Sequence, residues 1–366
     1  MKMRKKLFKI LIPFTMLFIF LELGLMTLSK VGVIKLEEPI YSFDNSRRFW
    51  AENDPDFGVW HSANYAFRHK TECFDVKYLT NSIGARDKER NISASGSRVA
   101  VIGDSFAEGW GVEDQDRFSN LLEGRTGVEF MNFAVGGAGM TQEYLIYKNK
   151  VMPYEHDAVL WALFPINDIV DDDIEFHAKY SQNRYRAYWV GDYPDYQIEH
   201  GLDSVQQSHF YFDKPDRILV LLKNFTYSYN MLRAFKYAYQ RTQIPEFDRS
   251  SYPGYFNINK AQWNRARYNI EKMKALLGDK KLYIITIPGE HTFKAYNDRN
   301  RQVPLRDSLN KWSEKLGYEY YDLLSEADQL DSIEWKSLYF DCDAHWSTIG
   351  HEWAAEKIDS VFSISR

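Results

Sequence analysis

Cysteine is scarce in this chain: there are two in 366 residues, and neither stands in a C-x-x-C or His/Cys spacing of the metal type. Two thiols alone make no zinc site. Basic stretches are lacking beyond the first six residues, and the formal net charge is −5 with 27% charged residues. Nothing here resembles a nucleic-acid surface, so nucleic acid is dropped as a partner. Internal repeats and low-complexity tracts are also missing. Aromatic residues, in contrast, are plentiful at 16%, with 25 Tyr, 24 Phe and 10 Trp. Most of them are expected in the core, and some could offer sugars a stacking surface.

The chain has one long apolar run, and it comes at the start. "MKMRKK" places four cations before "LFKILIPFTMLFIFLELGLMTL", about the ~20 residues that a spanning helix needs. Lys9 can snorkel to the near interface, whereas Glu22 stands inside the far half and Pro13 is a kink position. The uncharged centre is short enough for a cleaved signal peptide, yet no A-x-A site follows it. An uncleaved anchor over residues 1–30 is the preferred reading, with the positive end cytoplasmic and the remainder periplasmic or extracellular. In such an oxidising compartment, Cys73 and Cys342 are an even pair for which a disulfide is allowed.

From residue 31 to 97 the sequence is irregular and aromatic-rich, and it reads as a lead segment packed on the main domain. From Arg98 onward, short β-branched runs alternate with helical patterns, the signature of a parallel sheet with crossover helices. "RVAVIGDS", "VEFMNFAV", "DAVLWALF", "KLYIITIP" and "YEYYDLL" are the expected strands. "DRFSNLLEG", "TQEYLIYKNKVM", "KAQWNRARYNIEKMKALLGDKK", "RDSLNKWSEKLG" and "STIGHEWAAEKIDSVFS" are the expected helices. The main domain covers 98–366, with an insertion at about 169–258 that breaks the alternation and reads as mainly helical and packed on that domain.

Ser105 follows the first strand directly, at the sheet edge where open α/β folds bind ligands. Alone, Gly-Asp-Ser is also an ordinary turn composition. The second strand runs into "NFAVGGAG", whose Gly136, Gly137 and Gly139 allow close approach of backbone N–H groups. The third runs into "FPINDIVDDD", where the Asn167 amide can donate. Donors of this kind beside a serine are what an oxyanion hole requires. Near the end, "DCDAHWSTIGH" puts His345 two residues after Asp343, the pairing with which a carboxylate steadies an imidazole base. His351 is read as structural and Asp171-Asp172-Asp173 as a solvated acidic loop. Asp104 is read as the organiser of the serine turn, and Trp110 as a wall of the substrate site.

Gly103-Asp104-Ser105, the Gly137 turn, Asn167-Asp168 and Asp343-Ala344-His345-Trp346, in this order, resemble the SGNH (GDSL-type) hydrolase superfamily. "NSIGARD" is similar to the lead-in of its exported bacterial members. The resemblance implies a three-layer α/β/α sandwich with a five-stranded parallel sheet, flavodoxin-like, and acyl transfer with neither cofactor nor metal. It implies Ser105 as nucleophile, His345 as base and Asp343 as the acid that orients it. The oxyanion hole it implies is made by the Ser105 and Gly137 N–H groups and the Asn167 amide. Three positions depart from the family pattern. Phe106 replaces the usual Leu, Pro165 replaces a Gly, and Cys342 stands where many members carry the acid, so the choice falls on Asp343, preferred, or Asp341. A Cys73–Cys342 bridge would brace that loop.

The leading expectation is a membrane-anchored, extracytoplasmic serine esterase that removes O-acyl, most readily O-acetyl, groups from a glycan. A second is an O-acetyltransferase using the same acyl-serine, with a membrane-embedded partner supplying the donor. A third is a non-catalytic glycan-binding protein.

Overall fold

The computed structural model describes residues 2–43, 49–50, 52–71, 73–176, 185–201, 217–242 and 254–362. In chain order, the helices used below are α1 (Lys2–Lys30), α2 (Ser105–Glu108), α3 (Phe118–Thr126), α4 (Met140–Ile146), α5 (Pro165–Asp171), α6 (Arg217–Phe225), α7 (Tyr227–Thr242), α8 (Lys260–Leu277), α9 (Pro304–Leu316) and α10 (Thr348–Phe362). The strands of the largest sheet are β1 (Arg98–Gly103), β2 (Glu129–Asn132), β3 (Ala158–Leu163), β4 (Lys281–Thr286) and β5 (Glu319–Asp322). The chain divides into two compact units: Met1–Arg47 with Lys70–Glu72 and Phe212–Pro245, and Arg48–His69 with Cys73–Tyr211 and Glu246–Arg366.

In the larger unit the five strands lie in the order β5-β4-β3-β1-β2, and every neighbouring pair is parallel. β1 and β3 are buried along their whole length, as strands covered on both faces must be, and this explains why "RVAVIG" and "AVLWAL" read as continuous rather than alternating apolar runs. Their side chains still divide by parity. Ala100, Ile102, Val159, Trp161 and Ile284 pack with Leu145 of α4, Ile270 of α8 and Leu309 of α9 on one face. Val99, Val101, Leu160, Tyr283 and Ile285 pack with Leu122 of α3 and Ile358 of α10 on the other. The result is the expected three-layer α/β/α sandwich. Local signals set the helix ends: the Asn259 side chain accepts the Gln262 N–H at 2.8 Å to start α8, and Gly278 follows its last turn.

The lead segment and the insertion hold more strand than their sequences suggested. Glu52–Asp54, Gly58–Trp60, Arg186–Val190 and Gln197–Gly201 form a four-stranded antiparallel sheet, so the insertion contributes two strands beside its helices. Ala66–Lys70 and Asp75–Leu79 form a separate two-stranded ribbon. The remaining described part of the insertion, α6 and α7, belongs to the smaller unit together with α1, which divides both the lead segment and the insertion between the two units. Its stretches at 177–184, 202–216 and 243–253 lie outside the described residues. Over Leu11–Lys30, α1 is long and apolar enough to cross a membrane.

Candidate active site

β1 ends at Gly103, where a Cβ would stand 2.5 Å from the Ala162 carbonyl oxygen of β3, so only glycine lets the two strands close at this point. Asp104 then caps α2: its carboxylate accepts the Phe106 N–H at 2.9 Å. This places Ser105 at the first position of a one-turn helix at the carboxyl edge of the sheet, as a polar group left at the end of an apolar strand. Burial pushes the Asp104 carboxyl up to about 7, against the Phe106 N–H that holds it down. Glu143 and Asp168, buried nearby, are also pushed well up by desolvation, and each feels the Asp104 charge.

Ser105 Oγ lies 2.8 Å from His345 Nε2 across 240 residues of sequence. The other ring nitrogen, Nδ1, is in a short contact with Asp343 Oδ1, which also accepts the His345 backbone N–H at 3.1 Å. His345 and Asp343 sit on the short strand Asp343–Trp346, paired with Tyr339–Phe340 just before α10. Burial opposes the Asp343 charge, but the His345 hydrogen bond and charge together with the Trp110 indole hold its carboxyl below the usual range. Asp343 is therefore the aspartate that touches His345, whereas Asp341 is exposed in the preceding turn.

On the opposite side of the serine, Asn167 is in the first turn of α5. Pro165 occupies the first position of that helix, where its missing N–H leaves no intrahelical bond unmade and its fixed φ suits the turn. The departure from glycine is thus absorbed by a helix start. The Asn167 amide reaches Asp104 Oδ2 at 3.5 Å, the atom to which the Ser105 hydroxyl is also 3.5 Å away, so one carboxylate borders both groups. Gly137 takes a left-handed φ of +77° in the loop after β2. Its neighbour Gly136 donates its N–H to Glu108 Oε2, and a Cβ on Gly136 would stand 3.6 Å from Ser105 Cβ, which puts this loop against the serine.

Several supporting groups carry no legible signal in the sequence. Glu108, fully buried at the end of α2, also accepts from Trp50 Nε1 at 3.1 Å and lies 3.2 Å from His61 Nε2. Burial works against its charge, but His61, Arg86 and Trp50 outweigh that and hold its carboxyl low. An ionised carboxylate thereby fixes the glycine loop from below. Trp110 donates to Asp343 Oδ2 at 3.1 Å and stacks on the His345 ring with centroids 5.1 Å apart; Trp50 stacks on Trp110 at 5.0 Å. Trp110, expected as a wall of the substrate site, is half-buried beside His345 and also gives its N–H to Asp343. Trp50 and His61 lie in the aperiodic lead segment, where no spacing marks them. Replacing Glu108 with Gln is expected to lower kcat roughly 10- to 100-fold with little change in KM, because a displaced donor loop weakens transition-state contacts more than substrate binding. A steady-state kinetic comparison with a matched melting curve checks this.

The acidic run Asp171-Asp172-Asp173 is not a solvated loop. Asp172 is buried and accepts from the Thr141 N–H at 3.0 Å and the Asn269 amide at 2.9 Å, while Asp171 pairs with Arg186 and Asp173 with Arg265. Desolvation pushes Asp172 up to about 7. His351 is buried against Phe118, whose N–H faces its Nδ1, and burial pushes the ring down to about 3. Among the described residues no group of three or more metal-ligating side chains comes together.

Cys73 and Cys342 are joined by a disulfide, with Cα atoms 5.8 Å apart and 269 residues between them in sequence. Cys342 immediately precedes Asp343, and Phe74 packs on Phe340 with ring centroids 5.3 Å apart, so the bridge and this ring pair tie the acid-and-base loop to the two-stranded ribbon. Replacing both cysteines with serine is expected to cost about 2–4 kcal/mol of stability, by freeing the unfolded chain. Melting curves of the oxidised protein and the double variant measure it.

No family model and no curated protein matches the sequence. Among solved structures, the chain is similar to a member of the lipolytic G-D-S-L family from Veillonella parvula, at 13% identity and a TM-score of 0.40, covering 73% of this chain and 99% of that one. It is also similar to a lipase/acylhydrolase from Enterococcus faecalis, at 12% identity and a TM-score of 0.40, covering 72% and 93%. A carbohydrate esterase family 2 enzyme from Corynascus thermopiles matches at 11% identity and a TM-score of 0.39, covering 76% and 68%. The chain resembles the SGNH hydrolase superfamily. That resemblance rests on the ordered motifs and the strand order set out above.

Proposed function

We propose that the protein is an SGNH-type serine esterase in which Ser105 is the nucleophile, His345 the general base and Asp343 the orienting acid. The carrying observation is the Ser105 Oγ to His345 Nε2 contact of 2.8 Å, with Asp343 on the other ring nitrogen. The Ser105 hydroxyl adds to the ester carbonyl as its proton passes to His345 Nε2. The N–H groups of Ser105 and Gly137 and the Asn167 amide take the charge that develops on the carbonyl oxygen. Collapse of the tetrahedral adduct breaks the ester C–O bond, and the leaving alcohol receives the proton from His345. Water then adds to the acyl-serine, giving up a proton to the same nitrogen, and releases the carboxylic acid with Ser105 restored.

The acyl group is proposed as acetyl and the alcohol as a hydroxyl of a glycan lying outside the cytoplasm. Two features support that placement: α1 suits an anchor, and the Cys73–Cys342 disulfide suits an oxidising compartment. The test is acetate release from O-acetylated polysaccharides by the full-length protein in detergent, with and without an added acceptor sugar. Release in water supports the esterase. Faster acetyl transfer to the sugar than to water makes the protein an O-acetyltransferase, and binding of the polysaccharide with neither outcome makes it a glycan-binding protein.

A further inference from the structure

Glu22 is the anomaly of α1, an acid inside an apolar run long enough to span a bilayer. Its carboxylate is not left to lipid. Oε2 accepts the Tyr227 N–H at 2.7 Å and Oε1 the Ser228 N–H at 3.0 Å, so Glu22 caps the first turn of the 16-residue helix α7 and meets the positive end of its dipole. Glu22 precedes Lys30 by eight residues, about 12 Å along the axis at 1.5 Å per residue. In an anchor over Leu11–Lys30, α7 therefore begins below the level at which the chain leaves the span, within the outer part of a ~30 Å hydrocarbon layer.

What α6 and α7 expose agrees with that depth. Ile218, Leu219, Leu221 and Leu222 of α6 are exposed, and Leu232, Phe235 and Tyr239 of α7 form an exposed stripe at helical spacing, with Phe235 66% and Tyr239 69% accessible. Four polar side chains of the pair are instead matched within the same unit. Lys223 and Arg233 both bond Glu37, the Asn224 amide donates to the Ser42 carbonyl, and the Asn230 amide donates to the Lys223 carbonyl. A water-facing surface would reverse this arrangement. Leu17 and Phe20 of α1, in the same compact unit, are exposed as well.

We propose that α6 and α7 form an interfacial hairpin seated in the bilayer leaflet from which Lys30 emerges, with lipid as the occupant of its apolar face. The proposal rests on the reading of α1 as a membrane span, and Glu22 is the polar latch between the two. The chain is then held to the membrane by a span and by a surface-embedded hairpin contributed some 200 residues later.

The experiment uses the full chain in vesicles of phosphatidylcholine and phosphatidylglycerol. Single cysteines carrying an environment-sensitive fluorophore are introduced by Leu222→Cys, Phe235→Cys, Leu17→Cys and Ile198→Cys, all exposed positions, with Ile198 on an exposed strand of the larger unit. Spin-labelled lipids are the quenchers. The expected result is quenching at 222 and 235 several-fold stronger than at 198, with shallow-labelled lipid the better quencher there and deep-labelled lipid effective at 17. Quenching at 222 and 235 no greater than at 198, with 17 still quenched, overturns the hairpin and leaves the span. No quenching at 17 overturns the span reading itself. Shielding of 222 and 235 from iodide in native membranes, without lipid quenching, assigns the face to another membrane protein and also overturns the proposal.

Discussion

Replacing Ser105 with alanine is expected to remove ester turnover, with a fall in kcat of about 10⁴-fold or more, while the melting temperature stays near that of the parent. The asymmetry follows from where the hydroxyl is used. Its close partner is His345 Nε2 at 2.8 Å, and the local structure around it is held by other atoms: the Asp104 side chain caps α2, and Gly109 closes it in a left-handed conformation. The oxygen can be deleted without unpicking the turn. Chromogenic acetate hydrolysis gives the rate, and a fluorophosphonate probe gives an independent readout, labelling the parent and not the variant. Retention of more than a tenth of the parent rate would refute Ser105 as nucleophile.

The second large effect separates two aspartates that stand two residues apart. Asp343→Asn is expected to cost about 10⁴-fold in kcat, because an amide at this position can offer an N–H to Nδ1 and so favour the wrong tautomer for proton transfer at Nε2. Asp341→Asn is expected to leave kcat within a few-fold, since that side chain is exposed in the turn and Asp343 is the residue in contact with the ring. Because the His345 contact and the Trp110 indole keep the Asp343 carboxyl below its ordinary range, the parent acid is charged throughout mildly acidic and neutral pH. Any acid limb of the rate profile above pH 5 must then come from another group. Equal losses in the two variants would reject the assignment of the acid.

The parallel sheet was legible in the sequence because its strands carry their own signal. Long buried runs such as "AVLWAL" alternate with amphipathic stretches, and parity then distributes their side chains to two helical layers. The residues placed together at the strand ends were legible for the same reason, since each follows directly on a strand or precedes the closing helix. The support around them was not. Glu108 acts through a backbone N–H of Gly136, and Trp50 and His61 reach it from a segment with no period, so nothing short of the folded chain relates the three. Asp172 looked solvated because an acidic run ordinarily is; its burial depends on the Thr141 N–H and the Asn269 amide, each far away in sequence. The insertion misled in a similar way: its helical stretches were readable, but not that α6 and α7 share a unit with the N-terminal helix, whose Glu22 stands 205 residues before Tyr227.

The 240-residue separation of Ser105 from His345 also has a consequence in time. In a growing chain Ser105 is made 240 residues ahead of His345, and Cys73 is made 269 residues ahead of its partner Cys342. Until the stretch that carries Asp343 and His345 has been made, Ser105 lacks the imidazole that it contacts in the folded chain. On the proposed mechanism, the order of synthesis itself keeps Ser105 silent toward esters until that later stretch has folded against it.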